Sequence, residues 1–140
     1  MKKVLVFGTF DMLHDGHRFF LEFAKLHGDR LVVSVADDTV VERAKKRLPH
    51  FTTSERMRHL EEGGLVDTVL HGDKELGAWS AIHHETPDTI VVGYDQDALY
   101  DALVLLKANT DLNFTIVRAP GFQEDTLHTS LLRESTGEVQ

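Results

Sequence analysis

Short apolar runs recur along the chain, and each has the length and the β-branched content of a buried strand. Segments with helical spacing or with helix-capping residues separate these runs. The alternation predicts an α/β fold with a five-stranded, mostly parallel sheet flanked by helices, because parallel strands are joined by right-handed crossovers. The predicted strands are Val4–Phe7, Leu31–Val35, Val66–Leu70, Thr89–Val92 and Phe114–Val117.

The helices are predicted from a second kind of pattern. Phe19, Phe20, Phe23 and Leu26 recur with the spacing of one helix face. Thr52-x-x-Glu55 is a capping box that opens another helix, which ends at Gly63-Gly64. The remaining predicted helices are Asp38–Lys45, Leu76–Glu85, Asp97–Ala108 and a short one that starts near Thr129.

The segment between the first strand and the first helix runs from Gly8 to His17. Gly8 and Gly16 allow the backbone to come close to a ligand, and N–H groups at a helix start favour an anion. His14 and His17 supply two side-chain donors to the same place. The segment therefore predicts a phosphate site, and neither histidine has the further ligand that a zinc motif requires.

Composition narrows the class of protein. A chain of 140 residues with 41% hydrophobic and 27% charged residues is typical of one globular domain, which we expect to span residues 1–140. No apolar run approaches the roughly 20 residues of a membrane span, and the start leads directly into a strand, so neither a signal peptide nor a membrane partner is expected. The absence of cysteine suits a cytoplasmic location.

The net charge of −8 argues against a nucleic-acid partner, since such binding needs an extended basic surface. A local cluster of cations can still attract a single nucleotide. The candidates are the run Lys45–Arg47, the pair Arg56 and Arg58, and Arg118.

Gly8-Thr9-Phe10-Asp11 followed by His14-x-Gly16-His17 resembles the signature of the cytidylyltransferase-like nucleotidyltransferases. That group contains glycerol-3-phosphate cytidylyltransferase and archaeal-type FAD synthetases. The resemblance implies a single Rossmann-like domain of the nucleotidyltransferase type. It also implies catalytic contacts from His14 and His17 to the nucleotide phosphates.

The resemblance assigns nucleotide contacts within this signature to Gly8, Thr9, Phe10, Asp11 and Gly16. For Asp11, bracing of the loop competes with a ligand role, because a carboxylate repels phosphate. Phe10 is equally compatible with the core.

Relatives have a catalytic lysine in the loop after the second strand–helix unit, which corresponds here to Lys45 or Lys46. The alignment does not choose between them, and we favour Lys46 as catalytic, with Lys45 as a further nucleotide contact. A solvated charge run is the alternative.

Later segments resemble the family more loosely. The nucleotide-binding residues implied there are Arg56, Gly93, Tyr94, Asp95, Gln96, Arg118, Thr129 and Ser130. A surface ion pair for Arg56, a strand-ending turn at Gly93–Gln96 and a helix cap at Thr129 are the simpler alternatives.

The resemblance implies transfer of a nucleoside monophosphate from ATP or CTP to a small phosphate-bearing acceptor, with release of pyrophosphate. Mg²⁺ is expected to arrive with the nucleotide, without dedicated protein ligands, and relatives are commonly homodimers. An acceptor phosphate is already an anionic nucleophile, so the chemistry requires no general base.

The acceptor is less defined. Gly93-Tyr94-Asp95-Gln96 resembles the FAD-synthetase branch, and Gly64-Leu65-Val66-Asp67 lacks the arginine of the glycerol-phosphate branch. The leading hypothesis is adenylylation of FMN to FAD. Cytidylyl transfer to glycerol 3-phosphate or another polyol or sugar phosphate is one alternative, and a non-catalytic nucleotide-binding module is the other.

Overall fold

The computed structural model describes residues 1–122. Its elements are β1 (Lys3–Gly8), α1 (Asp15–Lys25), β2 (Arg30–Val35), α2 (Asp38–Lys45), α3 (Thr53–Glu62), β3 (Thr68–His71), α4 (Ser80–Glu85), β4 (Thr89–Val92), α5 (Asp97–Asn109) and β5 (Thr115–Arg118). The strands form one sheet in the order β3-β2-β1-β4-β5, and every neighbouring pair is parallel. The predicted α/β architecture is confirmed.

The sheet is buried on both faces because alternate side chains of each strand point in opposite directions. Val4 and Val6 pack with residues of α1 and α3, including Leu21 and Leu60. Leu5 packs on the other face, in a cluster that includes residues of α4 and α5. In the described part of the chain no helix is both long and apolar enough to cross a bilayer.

Two elements begin two or more residues away from the predicted start. The third strand begins at Thr68 rather than Val66, because Asp67 uses its carboxylate to accept the Leu31 N–H at 2.8 Å instead of continuing the run. The helix predicted from Leu76 begins only at Ser80, since Gly77 and Trp79 have φ values of +86° and +54° that no α-helix contains. The helix predicted near Thr129 lies outside the described residues.

The strand order creates the place where a ligand binds. From β1 the chain moves outward to β2 and β3, then returns to the other side of β1 with β4. The loops that follow β1 and β4 therefore diverge and leave a crevice at the carboxyl edge of the sheet, as in other open α/β sheets.

Candidate active site

The crevice is a cleft of about 780 Å³, which we call the β1–β4 cleft. It brings together two segments that are distant in sequence, the Gly8–His17 segment after β1 and the Gly93–Gln96 turn after β4. Lys45 and Arg47 reach it from the end of α2. The residues that line it include Gly8, Thr9, Phe10, Asp11, His14, Gly16, His17, Lys45, Arg47, Gly93, Tyr94, Asp95 and Gln96.

The two histidines cap α1. The Nδ1 of His14 accepts the Gly16 N–H at 3.0 Å, and the Nδ1 of His17 accepts the His14 N–H at 3.3 Å. Their rings stack with centroids 3.9 Å apart. Because each Nδ1 accepts a backbone N–H, a neutral ring keeps its proton on Nε2. Within residues 1–122 neither Nε2 makes a hydrogen bond, so both are available as donors to a ligand.

The charge state of His17 follows from its surroundings. Its burial, the neighbouring His14 and the cation of Lys45 lower the pKa of His17 to about 4. His17 is therefore neutral at pH 7 and donates from Nε2 in a fixed tautomer.

Close packing holds both glycines of the signature in place. A Cβ on Gly8 would lie 2.6 Å from the Phe10 ring, and one on Gly16 would lie 2.9 Å from Cε1 of His14. Phe10 has a φ of +53° and is 4% exposed, and its ring contacts His17 at a centroid distance of 5.5 Å. The side chain of Phe10 thus belongs to the core, and its ring packs against the ring of His17.

Asp11 braces the loop. Its carboxylate accepts the backbone N–H groups of His50 at 2.7 Å and of Phe51 at 3.1 Å. Burial opposes ionisation of Asp11, but these two hydrogen bonds and the His50 ring outweigh it, so the pKa of the carboxyl lies below its ordinary value. Of the two roles weighed from the sequence, this geometry favours bracing.

Arg56 is placed differently from the prediction. Its side chain is fully buried. The guanidinium donates to the carbonyls of Phe51 and Thr9 at 3.0 and 2.8 Å, and to Asp38 and Thr53 at 2.7 and 3.2 Å. Arg56 does not line the cleft. We therefore assign it to joining α3 to the β1 loop, in place of the direct nucleotide contact expected from the sequence.

The positions of Lys45 and Lys46 also differ from the prediction. Lys45 lines the cleft, close enough to His17 to help lower its pKa. Lys46 does not line the cleft and ends α2 in the left-handed conformation with a φ of +64°. The preference for Lys46 over Lys45 therefore does not match the geometry, because the helix turns at Lys46 and leaves Lys45 on the cleft side.

The turn after β4 is held from within. Gln96 accepts the Gly93 N–H at 2.7 Å and donates to the Phe7 carbonyl at 2.9 Å, which ties β4 to β1. Arg118 donates to the Tyr94 carbonyl at 3.3 Å and to Asp97 at 2.7 Å, and it is not among the residues that line the cleft. Gln96 and Arg118 thus shape the turn, and Gln96 lines the cleft together with Tyr94 and Asp95. Thr129 and Ser130 lie outside the described residues.

A second cavity of about 610 Å³ lies over the carboxyl ends of β2 and β3, and we call it the β2–β3 cavity. Its apolar lining includes Leu70, Leu76, Trp79 and Leu99, and His71 contributes a polar side chain. The ring of Trp79 meets Phe7 edge to face at 5.8 Å. The sequence analysis did not identify this cavity. The available signals were the lone tryptophan of the chain and a histidine directly after a predicted strand.

The cleft and the cavity meet at the end of β1. Four residues line both: Phe7, Gly8, Thr9 and Gln96. A molecule in the cleft and a molecule in the cavity would therefore approach each other at the Gly8–Thr9 backbone, beside the two histidine donors.

In residues 1–122 no three His, Cys, Asp or Glu side chains are grouped closely enough to hold a metal ion. The site instead combines neutral N–H donors, a helix N-terminus and a lysine. Such an arrangement binds phosphate and stabilises negative charge that develops on it.

Comparison with known proteins identifies the family to which this sequence is similar. A model of the family described as cytidylyltransferase-like matches residues 5–135. The FAD synthase of Thermococcus sibiricus is 36% identical over 129 residues, which cover 91% of this chain and 87% of that protein. The FAD synthase of Pyrococcus horikoshii is 34% identical over 138 residues, which cover 98% and 93%.

Two solved structures have the same fold as this chain. A lipopolysaccharide core biosynthesis protein from Thermoplasma volcanium superposes with a TM-score of 0.80 at 31% identity, covering 88% of this chain and 99% of that one. A pantoate-beta-alanine ligase from Francisella tularensis, in complex with beta-gamma ATP and beta-alanine, superposes with a TM-score of 0.62 at 14% identity and shares the fold. It covers 89% of this chain and 61% of that one.

Proposed function

The chain belongs to the cytidylyltransferase-like family of nucleotidyltransferases, and we propose that it transfers the adenylyl group of ATP to FMN, forming FAD and pyrophosphate. Its similarity to two FAD synthases over nine-tenths or more of its length supports this acceptor. The observation that carries the proposal is the meeting of two cavities at Gly8 and Thr9. A two-substrate transfer needs two adjoining sites with a phosphate-binding backbone between them.

We place ATP in the β1–β4 cleft. The Gly93–Gln96 turn forms the wall away from α1, where a base and ribose would lie. The triphosphate would extend toward the α1 N-terminus, where the backbone N–H groups, the Nε2–H groups of His14 and His17 and the ammonium of Lys45 all favour anions.

We place the flavin in the β2–β3 cavity. Its leucines and Trp79 offer the apolar and aromatic lining that a planar ring system requires. A polyol phosphate has no apolar ring to bury there. The FMN phosphate would then lie at Gly8 and Thr9, in reach of the α-phosphate of ATP.

The reaction is a direct displacement. An oxygen of the FMN phosphate attacks the α-phosphorus of ATP, the new P–O bond forms, and the bond from the α-phosphorus to the bridging oxygen of pyrophosphate breaks. The attacking oxygen is already anionic, so no proton is removed from it. His14, His17 and Lys45 hold the two repelling anions in line and neutralise charge on the α-phosphate in the transition state.

Mg²⁺ is proposed to bind with the triphosphate. Of the two carboxylates within residues 1–122 that line the cleft, Asp11 accepts two backbone N–H groups, so Asp95 is the one that would hold the ion. This fits the usual magnesium site, which combines one or two carboxylates with substrate phosphates. Bound there, it would supply additional charge neutralisation.

We further propose that the enzyme works in the cytoplasm, where ATP is available. We also propose that it forms a homodimer, which light scattering would test.

Purified protein should be incubated with Mg²⁺, ATP and FMN, and separately with Mg²⁺, CTP and glycerol 3-phosphate, while products are separated by chromatography. We expect FAD from the first mixture and no CDP-glycerol from the second. CDP-glycerol without FAD would overturn the proposal in favour of a polyol phosphate acceptor. A mixture of ATP with sugar phosphates belongs in the same screen, because the structural relative from Thermoplasma volcanium is named for lipopolysaccharide core biosynthesis.

A further inference from the structure

A buried carboxylate and a half-exposed histidine form a close pair at the rim of the β2–β3 cavity. Oδ1 of Asp37, after β2, lies 2.6 Å from Nε2 of His71, the last residue of β3. Asp37 is 4% exposed, whereas the His71 side chain is 45% exposed and lines the cavity. The mechanism above uses neither residue.

Asp37 is held in its ionised form. Its other oxygen accepts the side-chain O–H of Thr39 at 2.6 Å and the Thr39 N–H at 2.9 Å, which caps α2. The Thr39 hydroxyl, His71 and the Thr39 N–H hold the pKa of Asp37 far below its ordinary value. An ionised carboxylate only accepts, so the facing Nε2 of His71 must donate. A neutral His71 ring then has its lone pair on Nδ1, which makes no hydrogen bond within residues 1–122.

The charges around the cavity determine which kind of ligand group can hydrogen-bond to Nδ1 of His71. Asp73 and Glu75 also line it, and Asp37 adds a buried negative charge. Asp73 is occupied by the Ser80 N–H at 2.9 Å. An anionic ligand group would be repelled here, whereas a neutral N–H donor is complementary to both the charges and the free lone pair.

We propose that His71 determines acceptor specificity by accepting a hydrogen bond from the imide N–H of the flavin ring at its Nδ1, and that Asp37 is the positioning residue that fixes the required tautomer. This inference rests on the proposed function, because it names which side chain reads the flavin. The imide N3–H is the single ring N–H of oxidised FMN, so it is the ring donor that Nδ1 can read. The apolar lining around Leu70, Leu76 and Trp79 excludes polyol and sugar phosphates, which have no apolar ring to bury there.

The test compares FMN with FMN methylated at N3, which lacks the N–H. Trp79 is the only tryptophan and lines the same cavity, so quenching of its fluorescence reports flavin binding without turnover. The wild-type protein should bind FMN about tenfold more tightly than the methylated flavin, the value of one such hydrogen bond. His71→Leu keeps a side chain of similar size, so it should lower FMN affinity about tenfold and bind the two flavins equally.

His84→Leu is the matched control, because His84 also lines the cavity but is 79% exposed and lies 3.7 Å from the Glu85 carboxylate, too far for a hydrogen bond. It should retain the wild-type preference. Asp37→Asn can still cap α2 through its carbonyl, but its NH₂ would face Nε2 and move the ring proton to Nδ1. It should lose the preference for FMN over the methylated flavin while its melting temperature remains close to that of the wild type.

The outcomes separate the two proposals. FAD formation by the wild type with an unchanged flavin preference in His71→Leu would overturn the role of His71 and leave the proposed function standing. If the wild type shows no Trp79 quenching and forms no FAD, the proposed function and this inference are overturned together. Loss of preference in His84→Leu as well would overturn the assignment to His71.

Discussion

The β1–β4 cleft is shaped mainly by backbone, whereas the β2–β3 cavity is shaped mainly by side chains. In the cleft, Phe10 and Met12 have positive φ values, and the signature glycines leave no room for a Cβ. In the cavity, the walls are side chains drawn from α2, β3, α4, α5 and the segment before α4, with apolar groups interrupted by a few polar ones. The cleft therefore suits a ligand group that is the same in every reaction of this kind, a phosphate, and the cavity suits the group that varies, the acceptor.

The largest effect should come from the donors in the cleft. We expect His14→Ala and His17→Ala each to lower kcat by about 10²–10³, because each removes a donor aimed at charge that develops in the transition state. His14→Ala also removes the side chain that caps α1, which costs about 1 kcal/mol, so its melting temperature should fall by a few degrees while the protein stays folded. His83→Ala is the matched control, since His83 is exposed on α4 and lines neither cavity. A kcat near the wild-type value in either variant would refute the assignment of the cleft.

A second comparison lies within the lysine pair. Lys45→Ala should lower kcat/KM by about 10- to 100-fold through loss of a charge-assisted contact to phosphate. Lys46→Gly should leave activity unchanged and raise the free energy of unfolding by about 0.5–1 kcal/mol, because glycine adopts the left-handed cap without strain. Steady-state kinetics and urea titration measure the two quantities. Equal losses of activity in both variants would show that the run acts only as a diffuse positive charge.

Substitutions in the β2–β3 cavity should change the KM for FMN rather than kcat. Trp79→Leu removes the aromatic surface proposed to stack on the flavin, and we expect the KM for FMN to rise about tenfold. The KM for ATP should stay unchanged, since Trp79 does not line the cleft. Trp79→Phe should recover most of the loss. An equal rise in both KM values would show that the two cavities do not hold separate substrates.

The sequence predicted the cleft far better than the cavity, for a physical reason. Gly8, His14, Gly16 and His17 act through one strand–loop–helix unit, so their spacing alone determines their geometry. Parallel pairing follows from the alternation of strands with helices, whereas the strand order comes from the structure. The pairing of Asp37 with His71 depends instead on the register of β2 against β3, which no local pattern encodes.

The same distinction explains why three of the predicted contacts do not line the cleft. The sequence marks Arg56, Lys46 and Arg118 as cations near the site. Whether a cation faces the ligand depends on its neighbours. Arg56 is enclosed by carbonyl oxygens and Asp38, and Lys46 lies where α2 turns.

The smallest predicted effect concerns the stability of the cleft toward acid. The pKa of His17 is about 4 in the folded protein, below its value of about 6.5 in the unfolded chain. Between these values the unfolded chain binds more protons, so the contribution of His17 to stability is complete above about pH 6.5 and declines as the pH falls toward 4. Carboxylates with lowered pKa values act mainly below about pH 5, and the other histidines are common to both proteins. The difference between the wild type and His17→Asn from pH 7 to pH 5 therefore isolates His17. Over that interval His17→Asn should lose about 1 kcal/mol less than the wild type, a value discounted for the partial exposure of the ring. Urea titrations at pH 7, 6 and 5 measure the difference, with His83→Asn as the control, and parallel stability curves for the wild type and His17→Asn would show that His17 is not held neutral by the fold.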